Sequence, residues 1–483
     1  MKKIIIVGGG TAGLITAIML KKSNPDFVIE IIKSDDIGII GVGEGSTEHW
    51  FQFLNYAEIN IYDLFANTDC TFKYGIHFQN WNNDNKNFYH LINNFFTFKN
   101  INNFPSYEVG NISLANNLNE IHDSYMLESK HFFPLENSTY QFHFDTFKLN
   151  QFLIKLALER DIKVTIDTVT DIELDENGIK FIQSKNNVYK ADFFVDATGF
   201  KKMLINKLNP KWIDCQEFLI ANSAITFTLK PSVQNNTSFT SAISSKHGWI
   251  WEIPTQTRTG RGYVFNKDIS SIEEIENDLK NLYKNINIEK NINFTAGYLE
   301  NPWIKNCLAI GLASNFVEPL EASNIGCTIQ QSFAFIQFIN NLNLSNNIQQ
   351  KTYNNICTNI FSNIIDFIQI HYKTKRQDSK FWIETNNTKL TPFNKTTLDY
   401  FKNNIPIEAY FDKSYIMFNQ HNWINILFGL EYINLEVYKE IFNNLPNCDK
   451  HEFLVKKEVY ANRVPNFTSN VDAIKLMKTY ATN

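Results

Sequence analysis

Lys2 to Val7 is a short unbroken apolar run that closes on Gly8-Gly9-Gly10-Thr11-Ala12-Gly13. A run of this kind is the pattern of a strand covered on both faces in a parallel sheet. Leu14 to Leu20 then reads as a helix, so strand, G-x-G-x-x-G and helix follow in the order a dinucleotide site requires. Gly8 permits the tight turn, Gly10 lets backbone approach a pyrophosphate, and Gly13 allows helix to pack closely on strand. The helix start at Thr11 and Ala12 supplies N–H donors and a positive dipole end for the phosphates. A second strand, Phe27 to Ile32, ends at Lys33, near where an acid usually bonds the ribose. Lys33 holds that place, with Glu30, Asp35 and Asp36 only as neighbours.

Further along, Ile40-Gly41-Val42-Gly43-Glu44-Gly45 forms a second glycine-rich loop. Residues 71–78 alternate, with Phe72, Tyr74, Ile76 and Phe78 on one face and Thr71, Lys73, Gly75 and His77 on the other. Lys73 and His77 are therefore expected to project together from the more polar side of a half-buried strand. Residues 82–140, rich in Asn, aromatics and turn formers, read as an insertion or lid. A helical pattern resumes from Phe147 to Glu159, with strands expected near 162–166, 179–183 and 191–196. Ser238 to Phe265 is β-rich, Asn306 to Leu312 is a further strand, and the chain beyond about residue 324 is largely helical. The predicted class is α/β: a Rossmann-type nucleotide module with mixed sheets over 1–330, then a mostly helical region over 331–483.

Composition narrows the partners. The chain has 483 residues, 43% of them hydrophobic and 20% charged, so it can bury a large core without staples. Lys and Arg number 45 against 50 Asp and Glu, and the net charge of −5 argues against a nucleic-acid partner. No apolar run approaches the ~20 residues of a bilayer crossing, and the start lacks a cleavage site. Six scattered cysteines, without a CxxC pair or a histidine array, fit a reduced cytoplasmic protein without structural zinc.

Two segments carry candidate chemistry. In Gly248-Trp249-Ile250-Trp251-Glu252-Ile253-Pro254 the two tryptophans share a face and form an aromatic wall, an arrangement that by itself is more often core packing. In Asn315 to Gly326 a helix is expected to start at Ser323 or Asn324, both good N-caps, with Ile325, Ile329, Phe333 and Ile336 as its apolar stripe. Its first N–H groups make an anion site with Glu321 at the mouth. Taken singly, Glu321 reads as an exposed or salt-bridged carboxylate and Lys73 as a solvated charge.

In combination, Gly8-x-Gly10-x-x-Gly13, Gly41-Val42-Gly43-Glu44, Phe72-Lys73, Gly248-Trp249-x-Trp251-x-Ile253-Pro254 and Glu318-Pro319-Leu320-Glu321 resemble the flavin-dependent halogenases, most of all the tryptophan halogenase branch. The likeness runs to about residue 385 and includes Asp196-Ala197-Thr198-Gly199, Gln369-Ile370-His371-Tyr372 and Phe381-Trp382. It implies that reduced FAD and O2 oxidise a bound halide to hypohalous acid, which passes to Lys73 and Glu321 for electrophilic halogenation of an aromatic ring. It places FAD contacts at Ser34, Ile37, Ile40, Val42, Gly45, Val169 and Leu312 besides the first glycine loop. Ser323 and Asn324 fall at the halide position, where Asn324 replaces a usual glycine. Trp249, Trp251, Ile253 and Pro254 would screen substrate from flavin. A separate flavin reductase and a small aromatic substrate are the implied partners, and a homo-oligomer stays open. Where tryptophan halogenases carry a Tyr-Tyr pair this chain has Trp423-Ile424, so free tryptophan is not the expected substrate. A flavin monooxygenase is the runner-up, and a catalytically idle flavin-binding protein a third reading. The presence of Lys73, Glu321 and the tryptophan wall favours halogenation over both.

Overall fold

The computed structural model describes residues 2–38, 44–91, 130–131, 141–229, 237–339, 347–404, 406–411, 414–434, single positions between 436 and 455, and 468–481. Ile4, Ile5 and Ile6 are fully buried because their strand, Lys3–Val7, lies inside a six-stranded sheet. Phe193–Asp196 and Val28–Lys33 flank it in parallel, with Ile6 opposite both Val195 and Ile31. Cys307–Ala309 and Lys163–Ile166 extend the parallel set on either side, and Trp303–Ile304 closes one edge antiparallel. The helix Thr11–Ser23 is buried from Gly13 to Leu20, covered by the Ser323–Ile339 and Thr146–Glu159 helices. An all-round apolar sequence such as Leu14–Leu20 needs that kind of enclosure. Its buried polar residue, Thr16, bonds back to Ala12 O at 2.8 Å and meets the Ser332 hydroxyl at 3.1 Å.

A second sheet of seven strands runs in the order Ile286–Asn293, Ser223–Leu229, Thr259–Phe265, Gly248–Pro254, Phe239–Ser245, Gly75–Gln79, Asn87–Leu91. Its pairs are antiparallel except Phe239–Ser245 with Gly75–Gln79. A third, small sheet joins Glu44–Gly45 and Thr71–Lys73 to Gln141–Phe144. The expected single strand over 71–78 is thus broken. The chain leaves the small sheet after Lys73, and the Tyr74 N–H donates to Ser238 O at 2.7 Å as the next strand enters the large sheet. Residues 71–78 are all buried, so the half-exposed strand face expected for Lys73 and His77 does not exist. The alternation was genuine, but both faces are covered by other sheets and helices. Within the expected lid, Asn87–Leu91 is a regular edge strand, while 92–129 and 132–140 lie outside the described residues. Beyond residue 323 the described regular structure is mainly helical, including Ser323–Ile339, the 24-residue Asn347–Ile370 and Gln420–Gly429. Among the described residues no helix is long and apolar enough to cross a membrane.

Candidate active site

The glycine turn has the geometry of a dinucleotide cradle. Gly8 has φ +117, and a Cβ there would stand 2.2 Å from Ala197 O; at Gly13 it would stand 2.1 Å from Gly8 O. Over Gly10 nothing lies within 4 Å, so bare backbone faces open space. Gly10 flanks the Thr11–Ser23 helix without a side-chain cap, leaving the Thr11, Ala12 and Gly13 amides for an anion. Asn150 braces the loop by donating to Gly9 O at 2.8 Å. Gly311, at φ +59, packs against Ala12 and delivers Leu312 to the adjoining cavity. At the other end, Lys33 pairs with Asp35 at 2.6 Å. The Ser34 hydroxyl meets that of Thr168 at 2.9 Å, and Val169 is buried next in the chain. Ile37 is 48% exposed; Ile40 and Val42 fall outside the described residues. The residues present fit a bound FAD.

From Leu312 a cavity of about 190 Å³, partly open to solvent, runs past Trp249, Trp251 and Ile253 to Gly45, Glu321, Ser323 and Asn324. The two indoles stand 6.2 Å apart, tilted by 58°. Trp251 fits because Gly262 opposite it has no side chain: a Cβ there would lie 2.1 Å from the indole. Trp249 is fixed by a relay that sequence reading missed. Its Nε1–H donates to the Tyr372 hydroxyl at 2.9 Å, which donates to Glu318 Oε1 at 2.5 Å. Glu318 Oε2 is buried without a partner, and burial pushes this acid up to about 8 despite the Tyr372 bond. Pro254 acts from behind the wall, its carbonyl accepting the Thr71 hydroxyl at 2.7 Å. Thr71 in turn accepts from His143 Nδ1, which leaves His143 Nε2 to accept from Thr240 on the cavity wall. Burial, and then Lys73, hold His143 far below its usual range, in agreement with a neutral ring.

Lys73 is completely buried, and its ammonium donates to Ser46 O at 2.9 Å. Burial pushes it down to about 8, against the opposing pull of Glu321 and Glu48. A Cβ on Gly45 would stand 3.2 Å from Lys73 Nζ and 3.3 Å from Ala322 Cβ, so the lysine and the Glu321 loop meet across a bare glycine. Glu321 and Ala322 hold left-handed backbone, φ 69 and φ 49, a strain of ~1–3 kcal/mol each that active sites store. That turn sets the Glu321 carboxylate between two histidines, Oε2 at 2.7 Å from His90 Nδ1 and Oε1 at 2.7 Å from His371 Nε2. Burial alone would raise its pKa, but the histidines outweigh burial and hold the carboxyl well below the usual range. Ser323 does not cap the helix as expected: it has helical backbone itself, φ −71 and ψ −17. Asn324 Oδ1 is buried in the cavity wall without a partner. His90 sits in the stretch read as a lid, and His371 was visible only as part of a motif. Neither carried a sequence signal for contact with Glu321.

A glycine cradle beside an aromatic-walled cavity, with a buried lysine near the turn of a carboxylate clamped by two histidines, is the arrangement of a nucleotide-dependent enzyme. The chain belongs to the tryptophan halogenase family, whose sequence model matches residues 3–446, and it is a flavin-dependent halogenase by class. It is 30% identical over 440 residues to the 7-chloro-L-tryptophan 6-halogenase KtzR of Kutzneria sp. (strain 744), covering 80% of this chain and 82% of that protein. To the tryptophan 7-halogenase RebH of Lentzea aerocolonigenes it is 28% identical, covering 84% and 83%. The solved tryptophan 6-halogenase of Streptomyces toxytricini superposes with a TM-score of 0.88 at 24% identity, over 99% of this chain and 100% of that one.

Proposed function

We propose that this chain halogenates an electron-rich aromatic ring other than free tryptophan, with Lys73 and Glu321 as its catalytic pair. The observation that carries the reading is that the buried Lys73 ammonium and the turn that bears the buried Glu321 meet across Gly45, with Gly45 and Glu321 lining a cavity that Leu312, next to the Gly311 packed on Ala12, also lines. FAD, when bound and reduced by a separate flavin reductase, would supply the electrons with which O2 oxidises halide to hypohalous acid. The Thr11–Gly13 amides would hold its pyrophosphate. Ser323, Asn324 and the amides of the helix start hold the halide. Trp249 and Trp251 keep the arene from the flavin, so the small oxidant crosses the cavity and the substrate does not.

At the far end the Lys73 ammonium donates to the oxidant's oxygen, which makes the halogen more electrophilic. The arene attacks halogen, the oxygen leaves as water with the lysine proton, and Glu321 takes the ring proton. Substrate choice follows from the C-terminal helices. Trp423 is fully buried among Phe367, Phe393, Phe401 and Phe411. It offers no hydroxyl where the family's tyrosine pair stands, and this disfavours recognition of an amino-acid end. The test is a mass-spectrometric screen of phenols, indoles and heteroarenes with chloride, bromide and iodide and an added reductase. Halogenated products other than from free tryptophan are expected. Efficient turnover of free tryptophan alone overturns the substrate assignment.

A further inference from the structure

The two histidines on Glu321 are not equivalent. Asn422 fixes the state of His90. Its Oδ1 accepts the Asn419 N–H at 2.8 Å in a capping box, so its amide nitrogen must face His90 Nε2, at 3.0 Å. An amide nitrogen only donates, so Nε2 carries no proton and His90 is a neutral ring that gives its Nδ1–H to Glu321.

His371 is in the opposite situation. Its Nδ1 lies 2.8 Å from Phe367 O, and its Nε2 lies 2.7 Å from the Glu321 carboxylate. The carbonyl only accepts, and Glu321, held ionised, accepts as well, so both ring nitrogens must carry protons. The Phe367 carbonyl belongs to the last turn of the Asn347–Ile370 helix. There the His371 N–H has moved to Ile368 O at 3.2 Å, so the ring takes the place of the backbone donor. A helix C-terminus also favours a cation. The ring is thus bracketed by a carboxylate and the negative end of a 24-residue helix. Its edges pack on Phe78 and Phe367, and its backbone carbonyl is held by Trp81 Nε1 at 2.6 Å. Lys73 is a further charge close enough to feel Glu321.

We propose that His371 is an imidazolium that holds Glu321 as an ionised carboxylate and keeps it from stripping the proton of Lys73. This is a positioning role, and it rests on the reading of Lys73 and Glu321 as the catalytic pair. Without that counter-charge the carboxylate would be a stronger base beside a lysine whose proton is needed on the oxidant. With it, Glu321 stays a weak base, sufficient for a strongly acidic arenium proton.

The experiment is 15N NMR of the full-length protein labelled at histidine, at neutral pH, with signals assigned by their loss in H90Q and H371Q. Two protonated nitrogens are expected for His371 and one for His90, and E321Q should return His371 to a single proton. A singly protonated His371 in the unaltered protein overturns the proposal. In turnover of an arene found by the screen, Gln replaces a neutral donor faithfully at 90 but removes a charge at 371. The kcat of H371Q should therefore fall about tenfold further than that of H90Q, with flavin affinity by titration unchanged. Equal losses overturn the proposal. If no arene is halogenated while the NMR pattern holds, the functional reading fails and the charge assignment stands.

Discussion

In its proposed role, Lys73 is the residue at which function and stability pull in opposite directions. Its folded-state value of about 8 lies below the ordinary 10.5 because burial disfavours the ammonium. Between those two values the unfolded chain binds more protons than the folded one, so stability rises with pH across that window. Below about pH 8 the full penalty applies. K73M should therefore abolish halogenation and yet raise resistance to denaturant at pH 7, by roughly 3 kcal/mol if the whole shift is recovered; a less stable variant contradicts the argument. Because the proposed mechanism uses the ammonium, kcat should fall as pH rises through about 8. A rate that climbs there would point to a neutral amine. At the nucleotide end, Lys33 occupies the ribose acceptor's place and is paired with Asp35. K33E should tighten FAD binding by titration, and weaker binding would show that Lys33 itself makes a useful contact.

Elements place these residues by breaking regular patterns. The alternation over 71–78 identified Lys73 correctly as lying on a strand, but period alone carries no information about a handover between sheets at Tyr74. The aromatic wall was legible from Trp249 and Trp251, whereas the absent side chain that admits Trp251, Gly262 on the neighbouring strand, needed strand register to be seen. G262V should push Trp251 into the cavity and weaken FAD binding while the fold survives; unchanged flavin affinity would mean that the wall has slack. At the proposed halide site, the start of Ser323–Ile339, backbone amides would hold an anion without strong selection for its size. Asn324 alters the wall there, and bromide and iodide shed water more readily than chloride. Competition among equimolar halides on one arene, with a control for free hypohalite, should show bromide or iodide used at least as well as chloride. A strong chloride preference contradicts this.

At the scale of the molecule, the site is assembled from distant parts of the chain. The cradle comes from the first strand and helix, Lys73 from a small sheet, Glu321 from a strained turn, His371 from the end of a long helix, and His90 with Asn422 from an edge strand and a C-terminal helix. The cradle was legible because its glycines answer to local backbone geometry. Lys73 and Glu321 were singled out as a candidate pair only through resemblance, since each alone is an ordinary charge. The histidine clamp and the Trp249–Tyr372–Glu318 relay were not legible, because long-range hydrogen bonds leave no period in the sequence. The central claim is that the oxidant is made at one end of the cavity and used at the other. Its most direct test compares halogenated product with oxygen consumption in K73A, supplied with FAD, halide, arene and a reductase. The account predicts FAD binding and oxygen consumption close to the unaltered enzyme with no halogenated arene; full halogenation by K73A would contradict it.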